Sequence, residues 1–400
     1  MDWSGAQLAA LGAVERWLNE QDKQVFRIFG YAGTGKTTLA REFAAGRGGK
    51  FLFGAFTGKA ALVMKRRGCW GATTIHKMIY RPKEKSEQHL KELEAQFAAC
   101  TDQDRRRELL AEIEMENENL KRPAFSLNLD SEVRTASCVV VDEVSMIGES
   151  MGRDLISFGV PLLVLGDPAQ LPPVADGGYF TEAEPDVMLT EIHRQAEGSP
   201  IIRLASLVRS GRALPLGSHE GEGHEASLVL RRGTLTLKQL AEEFDQVLCG
   251  KNATRRSINA RFREAAGRKS HLPEPGDRLV CLRNNGTLGL LNGSLWEVAD
   301  SCILNEDRVG MSIVELDSES DVPLDVEAHR HHFEGREIPY WQRREADEFD
   351  FGYALTVHKA QGSQWPRVCL VDESAAFRQH AARWLYTGIT RAEDHVTVVT

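Results

Sequence analysis

Short apolar runs separated by amphipathic stretches dominate the first eighty residues. Residues 25–29 form a run too short for a helix and right for a buried strand, and residues 38–45 begin a helical spacing of apolar positions. The strand pattern returns at 138–141 and 161–165. Between these pairs lies a different kind of segment. From about 83 to 122 the chain has no Gly or Pro and is dense in Glu, Lys, Arg and Gln. Leu90, Leu93 and Phe97 recur at helical spacing, as do Leu109, Leu110 and Ile113, with a break near Thr101-Asp102. That pattern predicts a charged helical hairpin inserted between two strands of a first α/β core; a solvated spacer would have much the same composition.

After about residue 195 a second unit begins, with a strand at 246–249 and a helix at 254–268. Pro273-Glu274-Pro275-Gly276-Asp277 breaks it. To about 345 the chain reads as short strands, with turns at Asn284-Asn285-Gly286 and Asn292-Gly293. Strand and helix patterning then resumes at 349–354, 368–371 and 396–399. The fold class expected is α/β, with a small all-β module set into the second unit.

A length of 400 residues exceeds one ordinary core, which fits two or three domains. No apolar run approaches the ~18 residues of a membrane span, and Met1-Asp2-Trp3-Ser4 does not open a secretory signal. No membrane is therefore expected, and the place expected is cytoplasmic. The seven cysteines are scattered and form no C-x-x-C pair, so they suggest neither a zinc site nor a disulfide framework. The net charge of −9 argues against a protein that coats nucleic acid, though it leaves room for a narrow basic channel. Two basic clusters, Lys59 with Lys65-Arg66-Arg67, and Arg255-Arg256 with Arg261 and Arg263, could line such a channel, although clusters of this kind are more often solvated faces than binding sites.

The chemistry enters at Gly30-Tyr31-Ala32-Gly33-Thr34-Gly35-Lys36-Thr37, which fits the phosphate-loop pattern G-x-x-x-x-G-K-[ST] between a strand and a helix. Backbone N–H groups of Gly30, Ala32, Gly33, Thr34, Gly35 and Thr38 would surround the phosphates of ATP. Lys36 would reach the β- and γ-phosphates, and the Thr37 hydroxyl would hold Mg²⁺. A hundred residues on, the apolar run 138–141 ends in Asp142-Glu143. Carboxylates at the tip of a buried strand are costly unless they serve a cation or a water. Asp142 can hold Mg²⁺, and Glu143 can deprotonate the attacking water.

The order of motifs resembles the superfamily 1 helicases of group B, which contains RecD and the phage helicase Dda. Phe56-Thr57-Gly58-Lys59-Ala60-Ala61 resembles motif Ia, Thr73-Thr74-Ile75-His76 motif Ib, and Asp142-Glu143 motif II. Gly166-Asp167-Pro168-Ala169-Gln170 resembles motif III, and Leu189-Thr190-Glu191-Ile192-His193-Arg194-Gln195 motif IV. The stretch from Ala354 to Ser363 resembles motif V, and Tyr386-Thr387-Gly388-Ile389-Thr390-Arg391-Ala392 motif VI.

The resemblance implies two tandem RecA-like P-loop NTPase lobes. Lobe 1A would span 1–192, with the helical 1B-like insertion at about 83–122. Lobe 2A would take 193–280 plus 346–400, and an SH3-like β insertion, 2B, would take 281–345. It also implies that Gln7 reads adenine, that Gly362 borders the nucleotide, and that Gln170 senses the γ-phosphate. Arg194 and Arg391 would stabilise charge on the transferring group as arginine fingers. Thr57, Lys59, Thr74, His76, Thr356 and His358 match positions that line the single-strand path. For His76, a core histidine bonded to backbone is the competing reading.

Two departures stand out. Gln364 replaces a glutamate common in motif V, and the segment at 83–122 is longer than the strand-separating element that relatives carry there. The activity implied is that of an ATP hydrolase, a DNA helicase moving 5′ to 3′ on single strands and unwinding duplex. The alternative is a single-strand-stimulated ATPase and translocase that remodels protein–DNA complexes without processive unwinding. The partners implied are single-stranded DNA and duplex junctions, with replication or recombination proteins as the protein class, and the chain is expected to act as a monomer.

Overall fold

The computed structural model describes residues 3–82, 88–100, 102–121, 125–172, 178–191, 198–221, 223–285, 287–316, 322–336 and 345–400. The strands of its first part are β1 (Val25–Gly30), β2 (Phe51–Ala55), β3 (Thr73–Thr74), β4 (Tyr80–Pro82), β5 (Phe125–Leu127), β6 (Cys138–Asp142), β7 (Leu162–Gly166) and β8 (Val187–Leu189). Six of them form a parallel sheet in the order β3-β2-β6-β7-β1-β8. Every residue of β6 and β7 is buried, as in central strands covered on both faces. Successive side chains take opposite faces. Val140 packs with Val14 and Leu39, whereas Val139 and Val141 pack with Ile79 and Leu155. Because β6, β7 and β1 are neighbours, the turns after Asp142, Gly166 and Gly30 converge on one edge. The carboxyl edge is where open α/β sheets bind ligands.

The charged segment forms two helices, Gln88–Ala99 and Gln103–Lys121, packed on each other. They stand on a two-stranded antiparallel stem in which β4 pairs with β5. Leu93 and Leu109 are buried, yet neither joins the core clusters of the first sheet, so this stripe is covered within the hairpin. Leu110 falls outside the stripe and is 49% exposed, since neighbouring residues on a helix point about 100° apart. Arg106 donates to the carbonyls of Phe97 and Cys100 at 3.0 and 2.8 Å, satisfying groups that a helix end leaves open.

The remaining strands are β9 (Gly217–Gly221), β10 (His224–Leu230), β11 (Gln246–Cys249), β12 (Arg278–Cys281), β13 (Leu295–Ile303), β14 (Arg308–Glu315), β15 (Leu324–His329), β16 (Phe349–Phe351), β17 (Ala354–Thr356), β18 (Trp365–Val371) and β19 (Ala392–Val399). A second sheet runs β17-β11-β18-β19-β10-β9, parallel except for β9. A third, antiparallel, runs β15-β14-β13-β12-β16.

The third sheet is wider than the stretch 281–345, because it also takes β12 and β16. The run 349–354, which reads as one strand, divides at Gly352 as the chain passes from the antiparallel to the parallel sheet. A Cβ on Gly352 would stand 2.8 Å from the carbonyl carbon of Leu279, so the close approach requires glycine. The edges of the third sheet also meet. Ala328 bridges Asp347, and Asp347 N donates to the Glu327 carbonyl at 2.7 Å, so the sheet curls toward closure.

The helix Asn252–Ala265 is locked to this sheet. Arg263 Nε contacts both oxygens of the fully buried Asp277 at 3.0 and 3.1 Å. Arg255 pairs with Asp350 at 2.7 Å. Two members of the basic cluster at 255–263 therefore hold the fold, their carboxylate partners arriving from other segments. Among the described residues no helix is long and apolar enough to cross a membrane.

Candidate active site

The carboxyl edge of the first sheet opens onto a cleft of about 590 Å³. Gln7, Ala32, Gly33, Gly35, Lys36, Thr37 and Thr38 line it from one side, and Asp142, Glu143 and Gln170 line its floor. Gly362 and Arg391 face them from the second sheet's part of the chain. Gly30 and Thr34 stand behind the lining. Thr34 is buried, and its hydroxyl donates to the Tyr31 carbonyl at 2.8 Å, tightening the loop.

Gly35 has a φ of 78°, a left-handed conformation that lets the loop turn into the helix Lys36–Gly46. Lys36 Nζ spans the loop, donating to the carbonyls of Gly30 and Tyr31 at 2.7 and 3.1 Å. Gln7 does two local jobs. Its Oε1 accepts from Ser4 N at 3.0 Å in a capping box that starts the helix Gly5–Glu20. Its Nε2 donates to the Thr34 carbonyl at 3.2 Å, which holds its amide against the phosphate loop.

Thr37 Oγ1 donates to Asp142 Oδ2 at 2.6 Å. A hydroxyl and a carboxylate this close at the end of a phosphate loop fit the oxygen-ligand chemistry of Mg²⁺. The other oxygen of Asp142 accepts from Glu143 N at 2.8 Å. Glu143 has φ 54° and ψ 43°, an uncommon left-handed backbone for a residue with a side chain. Its carboxyl pKa is raised, first by burial and then by the negative charges of Asp142 and Asp167; Arg391 and Lys36 pull the other way. The Oε1 of Gln170 is buried and has no hydrogen-bond partner among the described residues, so it can accept from a ligand or a water.

Arg391 is only 3% exposed. It donates to the carbonyls of Thr387 and Ser363 at 3.0 and 3.3 Å and to Thr390 Oγ1 at 3.3 Å, all neutral acceptors. A buried guanidinium with neutral partners at the wall of a cleft suits a bound anion. Arg194 lies outside the described residues.

Asp167 and Tyr386 fall within the stretches that resemble motifs III and VI, and the geometry gives each a role. Tyr386 Oη donates to Asp167 Oδ2 at 2.7 Å and accepts from Ala32 N at 3.0 Å. One phenol thus joins the helix Ala381–Ile389, the turn after β7 and the phosphate loop. Burial, then the Asp167 charge beside it, pushes the phenol pKa far up, so it stays protonated. Leu171 is gripped in the same way, its N by Thr387 Oγ1 and its carbonyl by Gln361 Nε2, both at 3.0 Å. Gln364, noted as a departure, accepts from Arg67 Nη2 at 3.0 Å across the cleft.

Of the six residues matched to a strand path, Thr57, Thr74, His76 and His358 are half-buried and Lys59 and Thr356 are buried, and the polar atoms of several hold local structure. Thr57 Oγ1 caps the helix Gly58–Arg66 by accepting from Ala60 N, and Thr74 Oγ1 caps Ile75–Ile79 by accepting from Lys77 N. Thr356 is buried and accepts from Lys359 N at 3.3 Å. Lys59 is 9% exposed, with Nζ 4.7 Å from the Trp365 ring centre. His76 packs between Phe56 and Tyr80, and His358 against Phe377. Burial lowers the pKa of both histidines, which favours the neutral ring.

Comparison with known proteins agrees with this architecture. Residues 6–224 match the family described as AAA domain, and residues 351–399 match the UvrD-like helicase C-terminal domain. The ATP-dependent RecD2 DNA helicase of Deinococcus radiodurans is 29% identical over 278 residues, covering 64% of this chain and 35% of that protein. The probable conjugal transfer protein TraA of Sinorhizobium fredii is 22% identical, covering 94% of this chain and 31% of that protein. The chain therefore spans about a third of the length of these curated relatives. Among solved structures, Pif1 helicase in a study of DNA unwinding at forked duplex superimposes with a TM-score of 0.54 at 17% identity, covering 99% of this chain and 92% of that one. The Candida albicans Pif1 helicase gives 0.51 at 16% identity, covering 100% and 95%. At these identities the structures establish the shared fold.

Proposed function

We propose that this chain, which belongs to the family described as AAA domain, is a superfamily 1B helicase of RecD and Pif1 type, driven by ATP, that moves 5′ to 3′ on single-stranded DNA and separates duplex. The observation that carries this reading is the composite cleft. Lys36, Asp142, Glu143 and Gln170 come from one sheet's loops, and Arg391 comes from the other part of the chain. A site completed by both parts can respond to their closure and reopening, which a translocating ATPase requires.

In this reading Lys36 and the loop amides bind the β- and γ-phosphates, and Gln7 and Gly362 border the nucleotide. Thr37 and Asp142 hold Mg²⁺, which supplies charge neutralisation on the phosphate oxygens. Glu143 accepts the proton of the attacking water, its raised pKa making it a stronger base than an ordinary carboxylate. Gln170 contacts the γ-phosphate or that water. Arg391, with Arg194 beside it in role, stabilises charge on the transferring group.

We assign lobe 1A to 1–192, an SH3-like element to 281–345 widened by its flanking strands β12 and β16 to 278–351, and lobe 2A to the rest, 193–277 plus 352–400. The curled third sheet supports the SH3-like assignment. Thr57, Thr74, His76, Thr356 and His358 would face the strand as neutral donors and acceptors, with Lys59 behind them. Such contacts are independent of sequence.

The test is ATP hydrolysis with and without single-stranded DNA or RNA, followed by strand separation on 5′-tailed and 3′-tailed duplexes. The reading expects DNA-stimulated hydrolysis and separation of the 5′-tailed substrate. Stimulated hydrolysis that displaces streptavidin from a biotinylated strand without separating duplex would favour the remodelling translocase instead.

A further inference from the structure

Outside the cleft, one group of three His, Cys, Asp or Glu side chains among the described residues has candidate ligand atoms all within 4.8 Å of one another. We propose that this group, His331, His332 and Glu348, binds a transition-metal dication of the zinc type. It does not depend on the helicase reading.

The position of the group gives it a purpose. His331 and His332 lie just after β15, and Glu348 lies just before β16. These strands are the two opposite edges of the third sheet, and they meet where Ala328 bridges Asp347. The three side chains therefore sit at the seam where the sheet closes, contributed from both sides of it. A single ion there would clip the two edges together.

The donor set fits such an ion. His331 is 2% exposed and Glu348 8%, and the His331 and His332 rings are 3.8 Å apart between centres. His332 Nε2 and Glu348 Oε2 lie 2.9 Å apart, sharing a proton where an ion can stand. Bonds of about 2.0–2.1 Å to a tetrahedral ion place its donors roughly 3.4 Å apart, so this pair needs only a small opening. The other oxygen of Glu348 accepts from Arg283 Nη1 at 3.2 Å. Ligating carboxylates are commonly oriented by such an outer partner, and Arg283 is itself held by the Ala346 carbonyl at 2.5 Å. Two imidazoles and one carboxylate favour zinc, iron or nickel over magnesium, which prefers an all-oxygen shell. The site is thus chemically distinct from Thr37 and Asp142.

The experiment uses the full chain, stripped with chelator and kept in excess Mg²⁺ so that zinc does not enter the nucleotide site. Zn²⁺ stoichiometry is read by calorimetry and metal analysis, and the thermal midpoint is read with and without Zn²⁺. Wild type is expected to bind one more equivalent than His332→Gln, and only wild type should rise in midpoint with Zn²⁺. Zinc taken up by the exposed Cys302 is common to both proteins and cancels. Glu348→Gln keeps the side chain's size and its contact with Arg283, and it should lose the same equivalent even if His332→Gln does not fold. Equal stoichiometry in wild type and the folded variants, or a wild-type midpoint indifferent to Zn²⁺, would overturn the proposal and leave a hydrogen-bonded seam.

Discussion

The nucleotide cleft and the positions matched to a strand path differ in what their polar atoms are doing. In the cleft, Lys36 and Thr37 are tied to the loop and to Asp142, but two groups keep open capacity. Arg391 is buried among neutral acceptors, and Gln170 Oε1 is buried without a partner among the described residues. Along the strand-path positions the polar atoms are engaged. Thr57 and Thr74 cap helices, Thr356 holds a turn, and Lys59 lies over Trp365. Residues from one set of motifs therefore divide into those reserved for a ligand and those that also hold the fold. Substitution in the first set should change turnover and spare stability; substitution in the second should do more of the reverse.

The largest expected effect is that of Lys36→Ala. Phosphate release should be abolished, while the unfolding free energy in urea falls by no more than about 1–2 kcal/mol, the loss of two bonds to loop carbonyls. Near-normal DNA-stimulated release would break the comparison at its strongest point. Glu143→Gln should still bind ATP but hydrolyse it about 10²–10⁴-fold more slowly, measured by single-turnover assay. The same carboxyl sets a pH dependence. Its pKa is raised above 4.5, by burial first, so the ionised base is lost as pH falls. Wild-type turnover should therefore decline on the acid side at a higher pH than an ordinary carboxylate gives. A profile flat down to the ordinary carboxylate range would contradict the assignment.

Tyr386→Phe removes the hydroxyl between Ala32 N and Asp167. A hydrogen bond to a charged group contributes about 1.5–3 kcal/mol, so DNA-stimulated turnover should fall by about 10-fold or more. The KM for ATP should change less, a split that a purely structural tyrosine would not give. Thr74→Ala is the smallest. Loss of the cap should lower stability by about 1 kcal/mol and leave DNA-independent hydrolysis unchanged. A cap variant that loses hydrolysis without losing stability would erase the distinction between the two regions.

What the sequence made legible was local. The phosphate loop, the strand ending in Asp142 and the paired helices of the charged insertion all follow from glycine spacing and from periods of 2 or 3.6 residues. What it hid was long-range. Tyr386 and Asp167 are 219 positions apart, and Arg67 and Gln364 are 297 apart, so no spacing rule could pair them. Gln364 looked like the loss of a carboxylate; folded, it is a contact across the cleft. The division of 349–354 at Gly352 is not legible in the sequence, because an apolar run does not say which sheet it joins. Leu110 shares the apolar spacing of Leu109, yet Leu109 is buried in the hairpin and Leu110 is left 49% exposed. The seam histidines are adjacent in sequence, and their carboxylate partner is 16 positions away across a sheet closure that no spacing rule describes.

The central claim is that the second part of the chain completes the hydrolytic site. The most direct measurement is steady-state ATP hydrolysis, with saturating single-stranded DNA, by Arg391→Ala. Arg391 faces Glu143 across the cleft closely enough to lower its pKa, and it has no carboxylate partner among the described residues. The account predicts that kcat falls by roughly 10³-fold or more while the affinity for ATP changes far less, since the guanidinium acts mainly on charge in the transition state. A variant that hydrolyses ATP at the wild-type rate, or that loses only affinity, would contradict it.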